Sequence, residues 1–181
     1  LISIPKNAEE QMAFSLVVGL YDPDTETAWP TIDASGNEIA PTVGRVAING
    51  TSQPFVPDYR FGEIVGLTTP QIALTGDSIE VCLKWLSITP APLDYQVFVH
   101  LLGAGGDPID QADFQPKGGR YPTSVWMPGE TIDDCVVLET PGTPQDGWQV
   151  AVGLYDLATS QRLPVVDAGG QAQPNDMVIV T

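Results

Sequence analysis

One stretch of this sequence occurs twice, and this repeat limits the fold more than any other feature. Residues 16–36 and 150–170 align without a gap at a constant offset of 134 residues, and ten of the 21 aligned positions are identical. The shared positions include Gly-Leu-Tyr-Asp, at Gly19–Asp22 and again at Gly153–Asp156. Each copy joins an alternating apolar strand to a turn, so the repeat indicates a framework element used twice.

The pattern around the repeat predicts an all-β fold. Short runs with apolar residues at alternate positions are separated by turns that draw on 18 glycines and 17 prolines. Such a pattern is typical of sandwiches and barrels. We expect an antiparallel β-sandwich, either jelly-roll-like or immunoglobulin-like, with a partial second copy of its last strands.

The position of the two copies predicts the domain organisation. Many strand-like runs precede the second copy, whereas few residues precede the first. We therefore expect residues 61–181 to form a complete sandwich and residues 1–48 to be the tail of a truncated preceding repeat. Residues 49–60, which lack a period and contain two prolines, are expected to be a linker.

An isolated tail of this kind would leave an apolar strand face uncovered. We expect that face to add its strands to the main unit, or to be exchanged between two chains in a strand-exchanged dimer. The side chains concerned are Phe14, Leu16, Val18 and Leu20.

The charge of the chain excludes one class of partner. Acidic residues outnumber basic ones 23 to 7, for a net charge of −16. Nucleic-acid binding requires cationic side chains that neutralise phosphates, so we expect no nucleic-acid partner. No apolar run approaches the roughly 20 residues that span a bilayer, so no direct membrane insertion by this chain is expected.

The chain has two cysteines, Cys82 and Cys135, and both lie in predicted strands. In an oxidising compartment they would form a disulfide across the sandwich, and in a reducing one they would remain buried thiols. Two cysteines carry too little pattern to choose between these alternatives.

A cluster of acids follows the first Gly-Leu-Tyr-Asp. Asp22, Asp24 and Glu26 alternate along a turn, and Ca²⁺ prefers several oxygen ligands of this kind. The second copy keeps only the first of these acids, Asp156. The competing interpretation is therefore that the aspartate present in both copies shapes the turn by accepting hydrogen bonds from backbone N–H groups.

The loop Gly118–Glu130 is the candidate for ligand binding. It brings together Arg120, Tyr121 and Trp126 in an otherwise acidic chain. Aromatic faces stack on sugar rings and Arg binds hydroxyls, so the loop would suit a carbohydrate-binding module. The alternative is that both rings fill the end of the sandwich as core residues.

No catalytic residues are predicted. His100 is the only histidine, and it lies within an alternating strand, where a structural role is common. A Ser-His-Asp triad would have to use this residue, and neither Gly-x-Ser-x-Gly nor His-Glu-x-x-His occurs. We expect no cofactor apart from the Ca²⁺ considered above.

Several motifs resemble a module at the C-terminal end of bacterial multi-spanning membrane proteins of the mannosyltransferase-like class. They are Asp94–Leu102, Gly118–Glu130, Val152–Asp156 and Arg162–Pro164. The resemblance implies a β-sandwich outside the cytoplasm with an accessory, non-catalytic role. It also implies a larger parent protein that acts as a lipid-phosphate-sugar-dependent glycosyltransferase, and partners that are its other domains or glycans.

Overall fold

The architecture is taken from a computed structural model. It describes residues 11–39, 42–48, 55–142 and 146–181. These residues form β-strands joined by turns and short 3₁₀ turns, and the strands are β1 (Met12–Val17), β2 (Tyr21–Asp22), β3 (Thr27–Ala28), β4 (Thr42–Ile48), β5 (Tyr59–Phe61), β6 (Val65–Leu67), β7 (Gln71–Thr75), β8 (Ser78–Ser87), β9 (Gln96–Leu102), β10 (Pro108–Phe114), β11 (Thr131–Glu139), β12 (Gln149–Tyr155), β13 (Val165–Asp167) and β14 (Val178–Val180).

Two antiparallel sheets make up the main unit. In the described residues, one sheet has the order β10-β9-β12-β14. The other has the order β11-β8-β6-β5-β13, and β7 pairs with a further part of β8. The sheets pack together, so the predicted all-β antiparallel sandwich is confirmed.

The core lies between the inner faces of these sheets. Strand β8 alternates as expected: Val81 and Trp85 are fully buried on its inner face, and Glu80 is exposed on its outer face. Phe61 of β5 meets the Trp85 ring edge-on, with centroids 5.7 Å apart. Fully burying one such aromatic or aliphatic side chain stabilises the fold by about 1.5–3 kcal/mol, so this layer is the main source of stability.

The two cysteines form a disulfide, but its place differs from the expected one. Cys82 of β8 lies directly opposite Cys135 of β11, and these strands are neighbours in one sheet. The bond therefore links two strands of one sheet on its outer face and does not cross the sandwich. The alternation of β8, which sends Val81 and Leu83 inward, fixes Cys82 on that outer face.

Residues 20–39 and 154–173, the turn regions of the two copies, have the same backbone hydrogen bonds. We call residues 11–39 with 42–48 the first repeat, and residues 149–180 the second repeat. In both, the strand end and the following turn make the same backbone contacts at an offset of 134 residues. The equivalent pairs are Trp29 N to Leu20 O (2.9 Å) and Leu163 N to Leu154 O (2.8 Å), Ile39 N to Thr31 O and Gln173 N to Val165 O (both 2.8 Å), and the bridges Ile32–Glu38 and Val166–Ala172.

The final turn of each copy is built on one aspartate. Its Oδ1 accepts two backbone N–H groups, and a glycine with positive φ follows, Gly36 at 87° and Gly170 at 79°. A positive φ favours glycine, which explains why both copies have it there. The hydrogen bonds are Ser35 N and Asn37 N to Asp33 (2.8 and 2.9 Å), and Gly169 N and Gln171 N to Asp167 (both 2.9 Å).

The first repeat does not extend the sandwich sheets. In the described residues, β1 pairs with β4 and β2 pairs with β3, each as a separate two-stranded sheet. Within the described residues these strands are thus not hydrogen-bonded into the sheets of the main unit, and their exchange between two chains stays a prediction. Residues 1–10 and 40–41, and residues 49–54 of the expected linker, lie outside the described residues; the rest of that linker runs into β5, which begins at Tyr59.

Candidate functional site

The loop Gly118–Glu130 begins from a tight turn next to β11. Lys117 and Gly118 both have positive φ, 56° and 61°. The Lys117 N–H donates to Asp134 Oδ2 at 2.7 Å, which holds this strained turn in place. Burial raises the pKa of the Asp134 carboxyl, and the Lys117 hydrogen bond and charge oppose that rise.

The middle of the loop is fixed to the segment that precedes β9. The Thr123 hydroxyl donates to Leu93 O and accepts from the Tyr95 N–H, both at 2.9 Å. The Trp126 indole N–H donates to Tyr121 O at 3.0 Å. The Thr123 hydroxyl and the Trp126 indole N–H are therefore paired with backbone groups of the loop or of the preceding segment, as buried polar groups require.

Glu130 is the polar centre of the loop. It is almost fully buried, yet its carboxylate accepts the Tyr121 hydroxyl at 2.8 and 2.9 Å and the Met127 N–H at 3.0 Å. The Gln11 side-chain amide donates to the same carboxylate at 2.8 Å. These donors satisfy a charge that would otherwise be costly to bury.

The aromatic residues of the loop are core residues. Tyr121 is 0% exposed and Trp126 is 3% exposed, so neither ring presents a face to solvent. The predicted stacking surface for a sugar, built on Arg120, Tyr121 and Trp126, does not form in this structure, because only Arg120 lies at the surface. The alternative interpretation, that the rings fill the end of the sandwich, describes what the structure shows.

The same loop is hydrogen-bonded to the first repeat. The Ala13 N–H of β1 donates to Arg120 O at 2.6 Å. Gln11 bridges Glu130 and the Thr131 carbonyl, the latter at 2.9 Å. We call these contacts, with the ion pair described next, the repeat joint.

The second part of the joint is polar and closer to solvent. Arg45 of β4 donates to Asp94 Oδ2 at 3.0 Å and to Ser124 Oγ at 2.8 Å. The Ser124 hydroxyl donates in turn to Asp94. Arg45 and Asp94 are both partly exposed, so the pair itself contributes little stability and mainly fixes the orientation of the repeat.

The sequence did not single out the residues of the joint. Glu130 is the last residue of the loop, but its contact with the first repeat is made by Gln11, which lies more than a hundred positions away. Arg45 and Asp94 are likewise far apart in the sequence. The one signal in the sequence was an acid placed directly before a predicted strand, at the end of a stretch that contains Tyr121 and Trp126.

The predicted Ca²⁺ ligands are not brought together. Asp22 Oδ1 accepts the Asp24 N–H at 2.8 Å and the Thr25 N–H at 3.4 Å, which is turn chemistry. Within the described residues, the one group of three His, Cys, Asp or Glu side chains close enough to share a cation is Glu80 with the two cysteines. In the structure, Asp22 ends β2, Asp24 and Glu26 lie in the turn that follows, and the three carboxylates are not grouped around a common point.

The Glu80 group does not fit a metal either. Cys82 and Cys135 are joined in a disulfide, and a metal needs the free thiolate as its ligand. The arrangement is accounted for by two opposed cysteines and a neighbouring acid on the outer face of one sheet.

The single histidine lies in a packed cluster on the outer face of the other sheet. His100 Nε2 is 3.2 Å from Asp113 Oδ2, and its ring is 4.9 Å from the Phe98 ring. The Arg162 guanidinium covers Phe98 at 4.6 Å from the ring centroid. Burial, followed by the Asp113 carboxylate, raises the pKa of Tyr155 next to this cluster. The contacts describe a closed aromatic patch with a polar rim.

No family model, no curated protein and no solved structure matches this chain. Among the described residues, none of the helical segments is long and apolar enough to cross a membrane.

Proposed function

We propose that this chain is a non-catalytic accessory module that works outside the cytoplasm as part of a larger, membrane-linked protein. The observation that carries the proposal is the disulfide between Cys82 and Cys135. Disulfides persist in oxidising compartments and are rare in the reducing cytosol. The motif resemblance supports the same location and favours a glycosyltransferase as the parent protein.

The accessory role is supported by how the chain uses its most elaborate loop. The Tyr121 hydroxyl donates to the Glu130 carboxylate, and the Trp126 indole N–H donates to the backbone carbonyl of Tyr121. The Glu130 carboxylate and the backbone carbonyl of Arg120 also accept hydrogen bonds from the first repeat. A loop whose polar groups are used in this way supports and positions neighbouring structure. The expected role in the parent protein is therefore mechanical placement of adjoining domains.

The test is the location and redox state of the module in intact cells of its source. The full-length parent protein carries an epitope after Thr181, which is exposed, and thiols are trapped with a maleimide at the moment of lysis. We expect antibody to bind intact cells and Cys82 and Cys135 to resist the maleimide until a reductant is added. An epitope detected only after lysis, with both thiols modified without reductant, would overturn the proposal.

A variant with both Cys82→Ser and Cys135→Ser is the matched control. It should show the same antibody binding in intact cells and no reductant-dependent modification at these positions. This control separates a change in redox state from a change in location.

A further inference from the structure

The first repeat has a strand edge equivalent to that of β12 in the second repeat, but no strand is paired with it among the described residues. In the second repeat, β12 pairs along its whole length with β9, from Gln149 opposite Leu102 to Tyr155 opposite Gln96. The equivalent edge of the first repeat, residues 15–21, has no such neighbour among the described residues. The backbone that follows is nonetheless the same in both copies, as described above.

The missing cover is visible in the exposure of equivalent side chains. Val18 is 61% exposed and Leu20 is 70% exposed, whereas their counterparts Val152 and Leu154 are both 0% exposed. Together with Trp29, the two exposed side chains line an open cleft of about 300 Å³. The unpaired backbone N–H and C=O groups of such an edge are a template for pairing with another strand, and the exposed side chains beside it offer apolar contacts.

A glycine in each repeat identifies the residue that the missing strand should carry. A Cβ on Gly153 would lie 2.3 Å from the Phe98 ring, so only glycine leaves room for that ring. Gly19 occupies the equivalent position, yet a Cβ there would meet nothing within 4 Å. The first repeat thus has the space for an aromatic ring with no ring in it.

We propose that the edge from Ser15 to Tyr21 binds an antiparallel strand of a separate β-sandwich module. The strand occupies the register that β9 has on β12, with an aromatic ring over Gly19 and branched apolar residues on either side. In β9 these residues are Val97, Phe98 and Val99, opposite Leu154, Gly153 and Val152.

A second copy of this chain is not the favoured occupant. Its own β9 is already paired on one edge with β10 and on the other with β12. Exchange of repeats between two copies would uncover one apolar face for each face that it covers. The partner is therefore a module whose equivalent strand lacks its last neighbour, and the first repeat supplies that neighbour.

The probe is a peptide with the sequence of Tyr95–Leu102, flanked by lysines for solubility and for attraction to the acidic chain. Binding to the full chain is followed by tryptophan fluorescence, because Trp29 lies in the cleft, and by calorimetry. We expect saturable binding that weakens at least about tenfold when the phenylalanine of the peptide is replaced by alanine, the scale of one well-packed aromatic anchor.

The decisive variant is Gly19→Val. The open space at Gly19 predicts an unchanged urea midpoint for the free chain, together with peptide binding at least about tenfold weaker, because the side chain fills the place of the ring. Ser35→Val, which adds the same side chain in the exposed final turn, should bind the peptide as the original chain does.

Three results would overturn the proposal. One is the absence of saturable binding by both methods, and another is equal binding by the original chain and Gly19→Val. The third is self-association of the free chain that Gly19→Val abolishes, measured by sedimentation, since the occupant would then be a second copy.

Discussion

Replacing Tyr121 by phenylalanine tests whether the loop Gly118–Glu130 is part of the core. The change removes one hydroxyl and no carbon atom, so it leaves the packing of the ring intact. That hydroxyl donates to both oxygens of the buried Glu130 carboxylate, at 2.8 and 2.9 Å. Hydrogen bonds to charged groups contribute about 1.5–3 kcal/mol, so we expect Tyr121→Phe to lower the free energy of unfolding by about 2 kcal/mol.

The assay is urea denaturation followed by tryptophan fluorescence, supported by thermal unfolding. For a chain of this length, a loss of about 2 kcal/mol lowers Tm by roughly 4–8 °C. Tyr21→Phe is the matched control, since this side chain is 65% exposed. A surface change of this kind should remain within about 0.5 kcal/mol of the original chain.

A neutral Tyr121→Phe would refute the reasoning. Removing the hydroxyl of an exposed tyrosine hardly changes the free energy of unfolding. Removing a buried hydroxyl that donates to a buried carboxylate lowers it, because the carboxylate loses a hydrogen-bond donor. Equal unfolding midpoints for Tyr121→Phe and Tyr21→Phe would indicate that Tyr121 is exposed, as the sugar-stacking interpretation requires.

Three further predictions follow from the sandwich. Reducing Cys82–Cys135, which closes a loop with a separation of 53 residues, should lower the free energy of unfolding by about 4 kcal/mol, seen as a lower urea midpoint; an unchanged midpoint would contradict the bond. Gly153→Ala should cost about 1–3 kcal/mol, because its Cβ would meet Phe98 at 2.3 Å, and a neutral result would contradict that contact. Burial raises the pKa of Asp134 above 3.8, so the stability that this carboxyl contributes falls as pH rises from 3.8 through its pKa in the folded chain. The Tm of Asp134→Asn minus that of the original chain should therefore increase over this range, and a difference that stays constant with pH would contradict this.

Local chemistry made the strands and turns predictable. The alternation in β8 gave the inner face of that strand, because successive side chains point to opposite faces. The turn at Asp33 and Gly36 repeats the turn at Asp167 and Gly170, because the hydrogen bonds lie within a few residues of the aspartate. These features depend on neighbours in the sequence, and the sequence contains them twice.

Burial was not predictable in the same way. Leu20 and Leu154 stand in the same motif, but only Leu154 has β9 beside it. For Tyr121 and Trp126 the sequence left both a sugar platform and a core role open, with the core role favoured, because the burial of a ring depends on how the loop folds back on the sandwich. For the two cysteines the sequence left a disulfide and two free thiols as alternatives, because the strand order that puts them opposite each other in one sheet is a property of the whole fold.

The central claim is that the first repeat is seated on the loop Gly118–Glu130, and the Ala13 amide tests it most directly. Its N–H donates to Arg120 O, outside the pairing of β1 with β4. Residue-resolved hydrogen exchange on the full chain should show this amide protected on the order of a hundredfold or more, as expected for an amide in a stable structural unit. Exchange of the Ala13 amide at the rate of an unstructured chain, while the amides of β8 remain protected, would contradict the claim.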